Sequence, residues 1–131
     1  IQKIYNKLSR IRMEYIRFVI NDIIKQEPSY IVIENLNIKG MMKNRHLSKA
    51  IQEQCLYYFR LFLIQQCKKY NIELRVVDRF YPSSKLCNSC GQIKSDLKLK
   101  DRIYVCDCGC VEDRDVNASK NLRDAIKYEI A

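Results

Sequence analysis

Residues 87–121 read CNSCGQIKSDLKLKDRIYVCDCGCVEDRDVNASKN. The stretch holds two cysteine pairs, Cys87-x2-Cys90 and Cys106-x-Cys108, each closed by a glycine, with residues 91–105 between them. Each Cys-Gly turn can aim two thiolates inward. Four thiolates satisfy tetrahedral zinc with no open position, so the expected metal is structural. One residue rather than the usual two separates Cys106 from Cys108, which leaves Cys110 as a competing ligand. A ribbon of about 27 residues buries too little apolar area to fold without its metal. The stretch therefore predicts a zinc ribbon over residues 83–112, ligated by Cys87, Cys90, Cys106 and Cys108. Just beyond it, Asp113 and Asp115 flank Arg114 where a last helix begins, with Asp115 placed to cap that helix.

Working outward, Ile4, Leu8, Ile11, Tyr15, Val19 and Ile23 recur at three- and four-residue steps and predict an amphipathic helix over 2–26. YIVIENL (30–36) is short, β-branched and apolar, as suits a strand buried on both faces. Its one charge, Glu34, sits near the carboxyl end, where α/β sheets gather their sites, and a carboxylate there needs a partner or a cation. Residues 37–47 fit no period and read as a basic loop. Ser48 is positioned to cap a helix over 49–70 with Ile51, Cys55, Tyr58, Phe62 and Cys67 or Ile64 on one face. IELRVVD (72–78) reads as a second strand and FYPSSK (80–85) as its extended exit. Val116, Leu122, Ala125, Ile126 and Ile130 mark the last helix. A strand, helix, strand, helix order predicts an α/β layer, although two strands are too few to stand comfortably alone.

The chain carries 24 Lys and Arg against 15 Asp and Glu, a formal charge of +9, which favours a polyanionic partner. Lys39, Lys43, Arg45, Lys49 and Arg60 lie in the most basic window, 36–70, and are the candidate nucleic-acid contacts. Seven cysteines clustered in this way suit a metal and buried thiols in a reducing, cytoplasmic compartment rather than a secreted disulfide framework. No apolar run is long enough to cross a membrane.

IVIENLNIKG, YPSSKLCNSCG, RIYVCDCG and above all DRDVNASKNL resemble the C-terminal portion of the TnpB/OrfB family of transposon-encoded proteins. These are RNA-guided DNA endonucleases whose RuvC-like nuclease domain is interrupted by a zinc ribbon. The resemblance implies a partial RuvC/RNase H-like α/β fold lacking its first strands, with core parts at 1–82 and 113–131 around the ribbon. It also implies that Glu34 and Asp115 are catalytic acids for Mg²⁺, with Asn117 orienting Asp115, and that DNA and a guide RNA are the partners. The family's first catalytic Asp stands in an Asp-x-Gly context ahead of the first helix, where this sequence has no such segment. The expectation is a fragment inactive alone, whose open sheet edge favours self-association. The alternative is a non-catalytic, zinc-dependent nucleic-acid-binding protein derived from the same family.

Overall fold

The computed structural model describes residues 2–46, 48–98 and 100–131. Ten elements follow one another: α1 (Gln2–Lys25), β1 (Tyr30–Glu34), α2 (Ile38–Met42), α3 (Ser48–Glu53), α4 (Leu56–Tyr70), β2 (Glu73–Val77), β3 (Ile103–Val105), β4 (Val111–Asp113), α5 (Arg114–Arg123) and β5 (Glu129–Ile130). The class is mixed α/β, as expected. Strands β1, β2 and β5 form a three-stranded sheet in the order β1-β2-β5, and β3 and β4 form a separate antiparallel pair.

The chain divides into two compact units. One comprises Ile1–Ile31, Leu36–Leu74 and Ile130–Ala131, and the other Val32–Asn35 and Arg75–Glu129.

In the first unit α1 packs along α4. Ile20 and Ile24 of α1 are buried, as are Leu63 and Cys67 of α4. Arg17 ties the pair together. Its Nε donates to Tyr58 Oη at 2.7 Å, and its guanidinium lies 5.8 Å from the Phe62 ring centroid, which stacks on Tyr58. The buried face of α1 differs from the expected stripe, because Ile4, Leu8, Ile11 and Tyr15 are exposed. Length explains part of this: at 1.5 Å per residue α1 runs about 36 Å and α4 about 22 Å, so α4 cannot cover it all.

The expected helix over 49–70 is two helices. Gln54 and Cys55 break it, with Cys55 left-handed at φ 53°. Nothing in the apolar period marks that break. Ser48 lies within α3, and its hydroxyl donates to the Arg45 carbonyl instead of capping. The expected loop 37–47 contains α2, capped by Asn37, whose Oδ1 accepts from Gly40 N at 3.0 Å. A Cβ on Gly40 would fall 2.4 Å from Asn37 Nδ2, so any other residue there would push the capping side chain aside.

Strand β1 is half-buried at every residue rather than enclosed on both faces. Among the described residues it stands at the margin of its sheet, paired with β2 alone. The exit after β2 is a series of turns, not an extended segment: Tyr81 N donates to Asp78 O, and Lys85 N and Leu86 N both donate to Pro82 O.

In the second unit β3 and β4 register Ile103 with Asp113, Tyr104 with Glu112 and Val105 with Val111. Tyr104, Cys87 and Cys106 form one small buried cluster in it, with Leu97 and Cys110 packed against them. The last helix ends at Arg123, earlier than expected, and the chain then supplies the third strand of the sheet. Among the described residues no helix is long and apolar enough to cross a membrane.

Candidate metal centre and flanking acids

Two tight turns build the metal centre. Gly91 N donates to Cys87 O and Gly109 N to Cys106 O, closing each cysteine pair, and both glycines take positive φ, 74° and 90°. The second pair is hung from the β3–β4 hairpin, and the bridge Leu86–Ile93 carries the first. The result brings the Sγ atoms of Cys87, Cys90, Cys106 and Cys108 within 4.8 Å of one another.

Their spacing tests the fit to zinc. A tetrahedron with Zn–S bonds of about 2.3 Å has S···S edges of about 3.8 Å. Cys87 and Cys108 are 3.7 Å apart and Cys90 and Cys106 3.6 Å. These two edges are at ligand spacing, and the remaining ones lie within 4.8 Å. Cys110, the competing ligand, is outside this group and instead offers its carbonyl to Cys106 N.

Electrostatics points the same way. Burial disfavours the Cys87 thiolate, but hydrogen bonds from the backbone N–H groups of Cys90 and Ser89 and from the Cys90 and Cys106 thiols together outweigh it and bring the thiol down to about 6. At Cys108 the Cys110 N–H favours ionisation, yet the thiols of Cys106, Cys90 and Cys87 hold it up at about 12. Four sulfurs so close cannot all ionise without a compensating cation.

The acids occupy the same unit. Glu34, the last residue of β1, is half-buried, and its Oε1 accepts from Ser83 Oγ at 2.6 Å. Asp115 is in the first turn of α5 with its side chain 74 % exposed, 3.5 Å from Arg114 Nη2. It does not cap the helix. Asp113 does, its Oδ1 accepting from Asp115 N at 2.8 Å and Val116 N at 3.1 Å. Two acids two residues apart can compete for a cap, and the first has the reach to N2 and N3. Among the described residues the quartet is the only cluster of three or more metal-donor side chains, and Glu34 and Asp115 belong to none.

Asn117 bonds the segment around the first cysteine turn. Its Nδ2 donates to Leu86 O at 2.7 Å and its Oδ1 accepts from Asn88 N at 3.1 Å. Four residues on, Asn121 Nδ2 donates to Ser83 O at 2.8 Å and Leu86 O at 2.7 Å. These two asparagines, 0 % and 2 % exposed, are the buried face of α5, while Val116 and Ile126 of the expected apolar face are exposed. Ser83 and Asn121 were not legible as site residues by composition; the i, i+4 asparagine pair was the available signal.

Of the basic candidates, Lys39, Lys43, Arg45 and Lys49 are exposed on and around α2 and α3, and Arg60 is half-buried on α4.

The sequence pattern of the family described as "Cas12f1-like, TNB domain" matches residues 57–122. The chain is 34% identical over 122 residues to a "Putative RNA-guided DNA endonuclease" of Streptomyces pristinaespiralis, an alignment covering 93% of this chain and 30% of that protein. It is 36% identical over 99 residues to "TnpB-like protein L79" of Acanthamoeba polyphaga mimivirus, covering 70% of this chain and 18% of the relative. The fold is also that of a chain in the "Cryo-EM structure of the Cas12f1-sgRNA-target DNA complex", with a TM-score of 0.68 at 19% identity, covering 94% of this chain and 35% of the other. The chain thus spans about a third or less of these proteins.

Proposed function

The chain belongs to the Cas12f1-like, TNB domain family, and from that membership we propose that it is the C-terminal part of a transposon-associated, RNA-guided DNA endonuclease. In this reading residues 1–82 and 113–131 are parts of one RuvC/RNase H-like core and 83–112 the zinc ribbon inserted in it. The observation that carries the reading is the family's acid-bearing block, DRDVNA, joined in one compact unit to both the cysteine quartet and Glu34.

Zinc, held by Cys87, Cys90, Cys106 and Cys108, fixes the ribbon and takes no part in the chemistry, since four thiolates leave no open position. Glu34 and Asp115 are hard oxygen donors of the kind Mg²⁺ takes. Mg²⁺, when bound, supplies an activated water and stabilises the leaving oxygen of a phosphodiester. Ser83 keeps one oxygen of Glu34 occupied and leaves the other for a ligand. Asp115 lies exposed in the first turn of α5, at the positive end of the helix. Sites of this type use three or more carboxylates, so these two are a partial set, completed in the longer polypeptide by an acid in an Asp-x-Gly context. Lys39, Lys43, Arg45, Lys49 and Arg60 give sequence-independent affinity for phosphates, and base pairing with a guide RNA gives the choice of target. The half-exposed β1 favours self-association of the isolated chain.

The test has two parts. The chain alone is expected to retain about one zinc and to show no Mg²⁺-dependent cleavage. The longer polypeptide is expected to cleave guide-matched DNA, and Glu34→Gln or Asp115→Ala to abolish cleavage while leaving zinc content and DNA binding intact. Full cleavage by Glu34→Gln would refute the assignment. A second reading, a non-catalytic zinc-dependent nucleic-acid binder, draws on the pairing of Asp115 with Arg114; binding without any Mg²⁺-dependent cleavage in the longer polypeptide would support it.

A further inference from the structure

The segment Tyr81–Asn88 runs from the end of β2 into the first cysteine turn. It is pinned along its length by α5. Tyr81 Oη donates to Asn121 O at 3.1 Å, Ser83 O and Leu86 O both accept from Asn121 Nδ2, Leu86 O accepts also from Asn117 Nδ2, and Asn88 N donates to Asn117 Oδ1. Asn88 Nδ2 adds bonds to Asn121 Oδ1 at 3.3 Å and Asp124 Oδ2 at 3.0 Å. Both asparagines are buried, so these bonds form away from competing water and the carbonyls they satisfy would be costly to strand.

This one segment has two ends with chemistry on them. At its far end Leu86 hands directly to Cys87, a member of the quartet, and Asn88 follows. At its near end the Ser83 hydroxyl, on a residue 5 % exposed, donates to Glu34 Oε1 at 2.6 Å, a distance in the range of a charge-assisted bond to a carboxylate. Leu86 O is four residues of tight turn from Pro82 and is bonded by the same Asn121 amide that holds Ser83 O. A displacement of Cys87 would pull on Leu86, and through the Asn121 amide that Leu86 O shares with Ser83 O it would reach Ser83.

We propose that Ser83 is a positioning residue for Glu34, and that occupancy of the cysteine quartet is transmitted to Glu34 through Cys87, Leu86, the Asn117–Asn121 pair and Ser83. A metal that takes no part in the chemistry would thus decide whether the acid is aimed. The functional meaning rests on Glu34 being a nuclease acid; the linkage itself rests on the hydrogen bonds.

The experiment uses the zinc-loaded chain with ¹³C-labelled glutamate, reading the carboxylate carbon of Glu34, assigned by its loss in Glu34→Gln. Ser83→Ala is expected to shift this resonance and Ser83→Thr, which keeps the hydroxyl, to restore it. Removing zinc with a chelator is expected to move the resonance of the unsubstituted chain toward its Ser83→Ala position, and to move it little in Ser83→Ala. An unmoved resonance in folded Ser83→Ala, or in the unsubstituted chain on zinc removal, overturns the proposal, and the second measurement needs no substitution to fold. Equal movement on zinc removal with and without Ser83 overturns the route. Mn²⁺ titration of the longer polypeptide, labelled in the same way, separates the underlying reading: broadening of the Glu34 signal supports it as a divalent-ion ligand, and absence of broadening there, with the zinc response intact, refutes that role and leaves the linkage standing.

Discussion

Replacing Asn121 by Ala isolates the clamp between α5 and the segment before the first cysteine turn. The substitution removes both donors from Asn121 Nδ2, to Ser83 O at 2.8 Å and Leu86 O at 2.7 Å. Leu86 O keeps a partner in Asn117 Nδ2, whereas Ser83 O loses the one that Asn121 gave it. A net hydrogen bond is worth about 1 kcal/mol, and a buried group left unpaired costs about 1–3 kcal/mol, which puts the change at roughly 2–4 kcal/mol. Against total stabilities of about 5–15 kcal/mol this is easily resolved. Equilibrium denaturation at saturating zinc, followed by far-ultraviolet circular dichroism, measures it. Asn121→Leu, which keeps the volume but not the amide, is expected to cost as much; if it restores stability, the cost was a cavity. Because Leu86 O is shared, Asn117→Ala combined with Asn121→Ala should exceed the sum of the single changes by about 1 kcal/mol, within the range seen for groups in one network. A loss under about 0.5 kcal/mol for Asn121→Ala, the range of ordinary surface changes, or strict additivity, would refute the clamp.

Gly109→Ala tests the second cysteine turn. A Cβ there meets nothing within 4 Å, so the cost is backbone strain alone at φ 90°, about 1–2 kcal/mol for an L-residue. That corresponds to roughly tenfold weaker zinc binding by competition with a chromophoric chelator; unchanged affinity would count against the turn geometry. Tyr104 is fully buried, and burial first, then the nearby cysteine sulfurs, raise its phenol to about 12. Its neutral form stabilises the fold fully below the ordinary phenol value of about 10, and that contribution is lost as pH rises through the raised value. One tyrosine of nine should therefore ionise last in an alkaline absorbance titration, and Tyr104→Phe should delete that phase.

The metal centre was legible because its information is local. Two Cys-Gly turns specify their own geometry, and the same pattern already favoured Cys108 over Cys110, which the fold leaves outside the quartet. Helix α1 and strands β1 and β2 were legible from period and composition. What failed to show were features that depend on partners distant in sequence. The α3–α4 break sits at a left-handed cysteine, where glycine would have announced it. The buried face of α5 is polar, since Asn117 and Asn121 satisfy backbone carbonyls of a segment more than thirty residues earlier. An apolar-face argument could not find it. Asp115 was displaced from the cap by Asp113, and that displacement leaves its carboxylate free of the helix backbone.

The second unit is discontinuous: Val32–Asn35 reaches it from a chain position forty residues before the rest begins at Arg75. A graft or expression fragment cut at the ribbon's apparent borders would carry the metal and leave behind the acid, stranding the Ser83 hydroxyl without its acceptor. Chimeras between relatives should therefore exchange those four residues together with 75–129, as a matched set. Recombination that respects linear borders would join a strand to a ribbon it had never been selected against.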